Sequence, residues 1–436
     1  IDNTWYRENI TSYTHYGYKG RYFADLSMAV SSSNKLAPGH KWAFSPTLSL
    51  AWMISNEKFM KGLEFVNFLK LRASAGIINI PAEAYWQEIY SGGSLYNFDS
   101  SYAGSLGSWK LSKLASLNST HEKAYKYNAG IDATLFNGLD ITIDGYYQRR
   151  SDIWVSTSGK YSSVIGFDTP YENGGIVDSW GVEIGANYHK KVGSVTFNIG
   201  GNFSLAKNKI IEQYEEPRLY DNLKTTGLPL KQTMGLEAIG FFKDQEDIDN
   251  SPVQTFSTVK PGDIKYRDVN GDKKIDENDK VAIGYNTTAP EIYYSFNLGA
   301  EWKGLGFNAI FQGTGHYSAV LNTQSVYWPL VDNVTISKHY YDNRWTPETP
   351  NAKYPRLTTQ SNKNNFQTNT LWLEDRSFLK LRNVEIYYRL PERWMKSTKF
   401  MSNIRIYVRG NDLLCFDRIK IADPESYGVK NPLTRS

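Results

Sequence analysis

The sequence has 436 residues, of which 40% are apolar, 22% charged and 14% aromatic, and its net charge is +4. Its 49 basic side chains stand against 45 acidic ones, which leaves no clustered excess for neutralising phosphate and excludes a nucleic-acid partner. The longest apolar run, Leu50–Ile54, falls far short of the roughly 20 residues a membrane helix needs, so only a β-barrel, whose alternating faces average out as polar, could cross a bilayer here.

In chain order the hydrophobic pattern predicts about twelve strands, at 11–18, 21–33, 41–54, 67–79, 121–136, 139–155, 178–191, 195–212, 291–303, 305–317, 373–391 and 403–417. The period is two throughout. Leu139, Ile141, Ile143 and Tyr147 alternate with Asp140, Thr142, Asp144 and Gln148. Val195, Phe197, Ile199, Phe203 and Leu205 alternate with Thr196, Asn198, Asn202 and Ser204. Helical spacing is confined to a turn or two within Asn56–Leu63.

The connections carry more than the strands. Tight turns fall at Lys19–Gly20, Asn137–Gly138, Val192–Ser194 and Lys303–Gly304, and moderately short ones at 55–66 and 392–402. Between them lie 34–40, 80–120, 156–177, 213–290, 318–372 and 418–436. Short and long alternate along the whole chain, as in an up-and-down meander with one trim rim and one elaborated rim. A soluble β-sandwich or propeller would not sort its loops by length onto one end, and many of these strands exceed the usual five or six residues. The fold class is therefore all-β, a transmembrane antiparallel β-barrel with short periplasmic turns and long extracellular loops.

That reading fixes which side chains meet membrane lipid. Leu139, Ile141, Ile143, Phe197, Ile199, Phe203, Phe296, Leu298, Trp302, Ile404, Ile406 and Val408 should face outward; Asp140, Asp144, Asn198, Asn202, Asn297, Arg405 and Arg409 should face inward. Arg405 or Arg409 should find a carboxylate, on a neighbouring strand or on a part of the protein outside this sequence, because buried charges are kept where they are paired. The chain opens in mid-pattern and its final strand runs outward without a return. An open edge is not tolerated in lipid, so the sequence reads as part of a larger barrel, with at least one terminal strand outside it.

The sharpest local motif is DVNGDKKIDEND, in which Asp268, Asn270, Asp272, Asp276 and Asp279 take positions 1, 3, 5, 9 and 12 of a twelve-residue loop. This is the ligand spacing of EF-hand calcium loops, and it predicts a structural Ca²⁺ pinning a long loop. Lys273 stands at position 6, where glycine is expected, and position 12 is Asp rather than Glu. The alternative is a charged turn whose Asp and Asn side chains serve backbone geometry alone.

The long loops are rich in rings. Tyr85 and Trp86 in one, and Tyr327 and Trp328 in another, are the candidate substrate-binding residues, able to stack on sugar faces or hold a peptide. Loop packing and rim anchoring are the competing uses. No His-x-x-x-His, G-x-S-x-G or phosphate loop appears, and Cys415 is the single cysteine, so no catalytic residue is assigned and the protein is not read as an enzyme. A surface glycan-binding or adhesive β-protein with a calcium loop is the other reading these features allow.

PGDIKYRDVNGDKKIDENDKVAIG with APEIYYSFNLGAEWKGLGFNAIFQGTG, RWTPETPNAKYPRL (344–357), WLEDRSFLKLRNVEIYYRLP (372–391) and IRIYVRGNDLLCFD (404–417) resemble the SusC/RagA family of TonB-dependent outer-membrane transporters of Bacteroidetes. FSPTLSLAWMISNEKFM (44–60) and FLKLRASAG (68–76) are similar to the same family's mid-barrel strands. The resemblance implies a barrel of about 22 strands, of which 1–436 would supply the C-terminal part, with the N-terminal plug and the last strand elsewhere. It also implies a SusD-like surface lipoprotein as lid, oligosaccharide or peptide cargo, and energy from TonB–ExbB–ExbD through the N-terminal part. Family members usually carry Gly where Lys273 stands.

Overall fold

The computed structural model describes residues 4–426 apart from 82–85, 93–95, 98–104, 107–108, 158–159, 162–163, 165–170, 322–327, 392–393, 395–402 and 420–421. Twelve strands form one antiparallel sheet: β1 Arg7–Tyr18, β2 Tyr22–Ser33, β3 Trp42–Met53, β4 Val66–Ile80, β5 Glu122–Leu135 and β6 Leu139–Ser156. They continue with β7 Tyr171–Val192, β8 Val195–Glu212, β9 Ile292–Trp302, β10 Leu305–Gly315, β11 Phe378–Arg389 and β12 Arg405–Asp417. Each strand pairs with its neighbour in sequence, with no crossover. Among the described residues no helix is long and apolar enough to cross a membrane, which has no bearing on strands.

Most predicted strand ends lie within two residues of the observed ones. Three differences have physical causes. β1 begins at Arg7 because its residues Arg7 to Thr11 pair with Ser33 to Ala29 of β2, a partnership stronger than their polar composition suggests. β7 begins at Tyr171, its first residues holding Val155 and Ser156 beyond a bulge in β6. Residues 373–377 leave the strand, since Leu373–Asp375 pairs with Ser318–Val320 outside the main sheet. The helical spacing at 56–63 becomes two 3₁₀ turns, Ile54–Asn56 and Lys58–Met60.

Turn chemistry explains the trim rim. At the β5–β6 hairpin the left-handed residues are Phe136 and Asn137, both at φ 53°, one position earlier than the Asn-Gly pair suggests. At β9–β10 they are Lys303 and Gly304. A Cβ on Gly304 would lie 2.6 Å from the Arg389 carbonyl oxygen, so the residue must be glycine for both reasons.

The opposite rim is a folded body. Leu236, Ile264, Tyr266, Ile275, Ala319, Leu321, Val331, Tyr340, Tyr354, Phe366, Trp372, Ile419 and Ala422 form one hydrophobic cluster. It draws on the connections 213–291 and 316–377 and the segment after β12. Short pairings hold it: Ala238–Phe241 on Ile264–Tyr266, and Val253–Gln254 alongside Lys274–Ile275. A buried polar layer accompanies it. Asp263 accepts from Asn362 Nδ2 at 3.0 Å and Asn365 Nδ2 at 2.9 Å and pairs with Arg356 at 2.8 Å. Tyr266 Oη donates to the Asn364 carbonyl at 2.6 Å and accepts from Asn369 at 2.8 Å. Buried polar groups are tolerated when paired in this way.

Candidate functional site

Register divides the wall into two chemistries. On β8 and β9, Phe197, Ile199 and Phe203 lie opposite Ala300, Leu298 and Tyr294 on one face. Asn198, Asn202 and Ser204 lie opposite Gly299, Ser295 and Tyr293 on the other. Ile141 and Ile143 continue the apolar face through Ala133 and Ile131 on β5 and Ala186 and Ile184 on β7. Because a charge at the bilayer midplane costs about 2–4 kcal/mol, the apolar face is the lipid face. Tyr127, Tyr147 and Trp180 stand in one row across β5, β6 and β7, with Tyr22 stacked beside Trp52 towards the other rim, in the manner of aromatic girdles. The predicted facing holds through the ladders; Ile404 lies one residue before β12 and accepts from the Leu390 N–H.

The inward face carries charge hubs that span several strands. Arg72 on β4 reaches Asp132 on β5 at 3.1 Å and Asp144 on β6 at 2.6 Å. It crosses β5 at Gly130, where a Cβ would sit 2.7 Å from both the Arg72 guanidinium carbon and the Asp144 Oδ1. Glycine makes the bridge possible. On the last strands Glu385 of β11, only 5% exposed in its side chain, pairs with Arg409 at 2.6 Å and with Arg405. The expected carboxylate partner of these arginines is thus on the neighbouring strand. Arg405 also lies 4.0 Å from the Tyr387 ring centroid, a cation–π contact.

Between these hubs lies a shallow polar groove of about 430 Å³, with Asp140, Asp144, Glu183, Asn187, Asn202 and Gln312 among its lining residues. At the elaborated rim Gln312 accepts from Arg382 Nε at 3.0 Å. Arg382 belongs to a cluster with Lys380 and Arg376 that sequence reasoning missed. The signal was present, for FLKLR occurs twice, at 68–72 and 378–382. In both copies the register turns the leucines to lipid, and Lys70, Arg72 and Lys380 inward, while Arg382 sits at the bulge between Leu381 and Asn383. Counting parity from the leucines would have found Arg72 and Lys380 together.

The loop residues singled out in the sequence meet different fates. Tyr85 and Tyr327 lie outside the described residues. Trp86 is half-buried, its backbone bridging the Lys35 carbonyl and the Ser116 N–H. Trp328 packs against the cap cluster with its indole stacked on Phe366, centroids 4.4 Å apart, so it serves packing, with one face covered.

The calcium residues fold as a ladder of side chain-to-backbone hydrogen bonds. Asp268 accepts from the N–H of Gly271 at 2.7 Å and of Lys273 at 2.9 Å. Asn270 accepts from the Asp272 N–H and Asp272 from the Lys274 N–H. Asp276 pairs with Lys274 at 2.7 Å, which with the Asn278 N–H holds its carboxyl below the usual range. Asp279 is fully buried and accepts from Val269 and Asp276 N–H groups. Lys273 does adopt the conformation of the expected glycine, at φ 64°. Among the described residues no three acidic, histidine or cysteine side chains gather as a metal-holding group. The side chains spaced for ligation also hold the turn's own backbone.

A stronger anion nest lies nearby. Glu215 accepts from the N–H and hydroxyl of both Thr225 and Thr226, at 2.8–2.9 Å. Burial pushes its carboxyl up, but these four donors outweigh that and hold it at about 2.

No protein-family model matches the sequence. The chain is 27% identical to TonB-dependent receptor P26 of Formosa agariphila over 94% of its own length and 42% of that protein's. It is 23% identical to TonB-dependent receptor SusC of Bacteroides thetaiotaomicron over 96% of its length and 42% of that protein's. The chain therefore spans less than half of the curated relatives it matches. Among solved structures the RagAB peptide transporter superposes with a TM-score of 0.76 at 20% identity, covering 99% of this chain and 47% of that one. The apolar outer face, charged inner face and loops sorted to one rim match that fold, and along nearly its whole length the chain is similar to TonB-dependent outer-membrane β-barrel receptors, SusC among them.

Proposed function

We propose that this chain forms wall and extracellular mouth of an outer-membrane nutrient importer, taking up oligosaccharides or peptides. The observation that carries the reading is the two-faced sheet: lipid-compatible side chains on one face, and on the other Arg72, Asp132, Asp144, Glu385, Arg405 and Arg409 arranged in paired hubs along a polar groove. Such a face suits a wall that borders a polar passage, and no side chain in it asks for a covalent step. The family resemblance supports a SusD-like lipoprotein seated on the mouth and energy delivered from TonB through the rest of the protein. The direct test is growth of the native bacterium with the gene deleted, on oligosaccharides and oligopeptides as sole sources. Loss of growth on one cargo class, with growth on its monomers intact, is the expected result; unchanged uptake of every oligomer would overturn it.

Calcium on the 268–279 loop belongs with this reading as a further element of the proposal. Each carboxylate oxygen keeps a second lone pair after accepting an N–H, so the ladder leaves acceptor capacity for a weakly held extracellular ion.

A further inference from the structure

At the mouth, three cations project inward from β11 and the turn before it, and all three grip one segment of the chain. Lys380, with 2% of its side chain exposed, donates to Asp423 Oδ1 and Glu425 Oε2, both at 2.6 Å. Arg382 pairs with Glu425 and, at 3.1 Å, with Asp412 of β12. Arg376 lies over the Tyr317 ring at 4.5 Å and donates to the backbone carbonyls of Pro424 and, at 3.0 Å, Ser426. Residues 423–426 thus form a strap across the inner side of the rim, continuous with Ala422 in the cap core.

The charges balance only while the strap is in place. Arg376, Lys380 and Arg382 face Asp412, Asp423 and Glu425; withdrawing the strap removes two of those three carboxylates. Ion pairs lost with the strap are regained when another anion takes its place, so an incoming carboxylate favours its release. Gln312 lines the polar groove and touches Arg382, so a group travelling along the inner wall arrives beside this cluster.

We propose that the Arg376–Lys380–Arg382 cluster is a binding site for carboxylate-bearing cargo, and that the strap carboxylates of Asp423 and Glu425 are its built-in stand-in ligand. An acidic oligopeptide or a uronate-containing oligosaccharide carries the same group, and two carboxylates spaced along either would replace those of the strap. Arrival of such cargo releases the strap from the wall and, through Ala422, loosens its hold on the cap. This rests on the import reading and names the cargo chemistry at its mouth.

The test uses the full-length receptor in detergent, with triglutamate, trigalacturonate, trialanine and maltotriose as probes. Hydrogen exchange of residues 422–426 should rise with one or both acidic probes and stay unchanged with the neutral ones; which acidic probe acts tells peptide from saccharide. Glu425→Gln, which keeps shape and removes charge, should bind the acidic probe about tenfold more tightly, because the competing charged hydrogen bonds are weakened. Lys380→Met should abolish the response, with retained heat-modifiable gel mobility confirming a folded barrel. Equal response to acidic and neutral probes, or unaltered affinity in Glu425→Gln, would overturn the proposal. Uptake of neutral cargo that persists under that outcome would leave the import reading standing, whereas loss of every uptake would remove both.

Discussion

The wall and the cap of this chain obey opposite rules. In the wall, large apolar side chains such as Ile10, Leu50, Ile406 and Val408 are exposed, because their solvent is lipid. In the cap, Trp372, Tyr266, Leu236, Ile264 and Ile275 are almost completely buried, with Asn364, Asn365 and Asn369 beside them, as in a water-soluble domain. The wall owes its cohesion to ladders and to ion pairs on its inward face. The cap owes its cohesion to a hydrophobic core whose members come from three separate connections. Backbone pairing along a continuous twelve-stranded sheet resists loss of a single side chain, whereas a small core does not.

The largest expected effect follows from that contrast. Trp372→Ala removes the biggest fully buried side chain of the cap and should destabilise the cap by about 3–5 kcal/mol, seen as accelerated hydrogen exchange at Leu236, Ile264 and Tyr354. The wall should keep its heat-modifiable mobility. Simultaneous loss of both would show that wall and cap are one cooperative unit. A somewhat smaller effect separates the two faces of the wall. Ile143→Arg, midway between the rim turn at Asn137 and the girdle residue Tyr147, should cost about 2–4 kcal/mol in bilayer refolding. Asn202→Arg on the inward face should cost little. Equal penalties would reverse the assignment of faces.

The same contrast explains what the sequence disclosed. The wall was legible because its two faces meet different solvents, so the period of two survives in nearly every strand; Ile141–Asp144 alone states the facing. Its charge hubs were half legible. Arg405 and Arg409 announced a partner, but that the partner is Glu385 depends on register across a fifteen-residue connection (390–404), and Arg72 needs Gly130, directly opposite it on β5 but distant in sequence. The cap was not legible. Its core joins Tyr266, Tyr354 and Ala422 from connections that show no periodicity, so each ring could be read as ligand-facing. Trp328 was read so, and its stacking on Phe366 became visible only when the connections were brought together.

Acid provides a sharper probe of the cap alone. Glu215 is held at about 2 against an ordinary 4.5, so its folded-state pKa is depressed. Its contribution is therefore fully present above about 4.5 and is lost as pH falls from there towards 2. A shift of that size corresponds to at most about 3 kcal/mol, carried by the donors of Thr225 and Thr226. Acid titration should loosen the 213–228 segment before the wall. Glu215→Gln should lower the cap's stability at pH 7 and flatten its response between pH 4.5 and 2. An unaltered acid profile in that variant would assign the loss to other carboxylates.

The smallest expected effect concerns the 268–279 turn, where the two uses of one motif give different numbers. If Asp268 serves only the backbone, Asp268→Ala strands the N–H groups of Gly271 and Lys273 in a largely exposed loop, where water can replace the carboxylate. The cost is then about 1 kcal/mol, the net worth of an ordinary hydrogen bond, with or without calcium. If an ion also binds, wild type gains stability on adding millimolar Ca²⁺ by mass action, roughly 1–2 kcal/mol when the ion exceeds its dissociation constant tenfold, and Asp268→Ala loses that gain. Lys273 bears on the same choice: its left-handed backbone costs about 1 kcal/mol that glycine would not. Lys273→Gly should raise cap stability under both readings, but should also tighten calcium binding only if the loop is a site. Melting of wild type, Asp268→Ala and Lys273→Gly in EGTA and in Ca²⁺ therefore decides the matter. Calcium-independent melting in all three would leave DVNGDKKIDEND as a turn whose aspartates hold their own backbone, consistent with Asp279 being buried against Val269 and Asp276 rather than open to the medium.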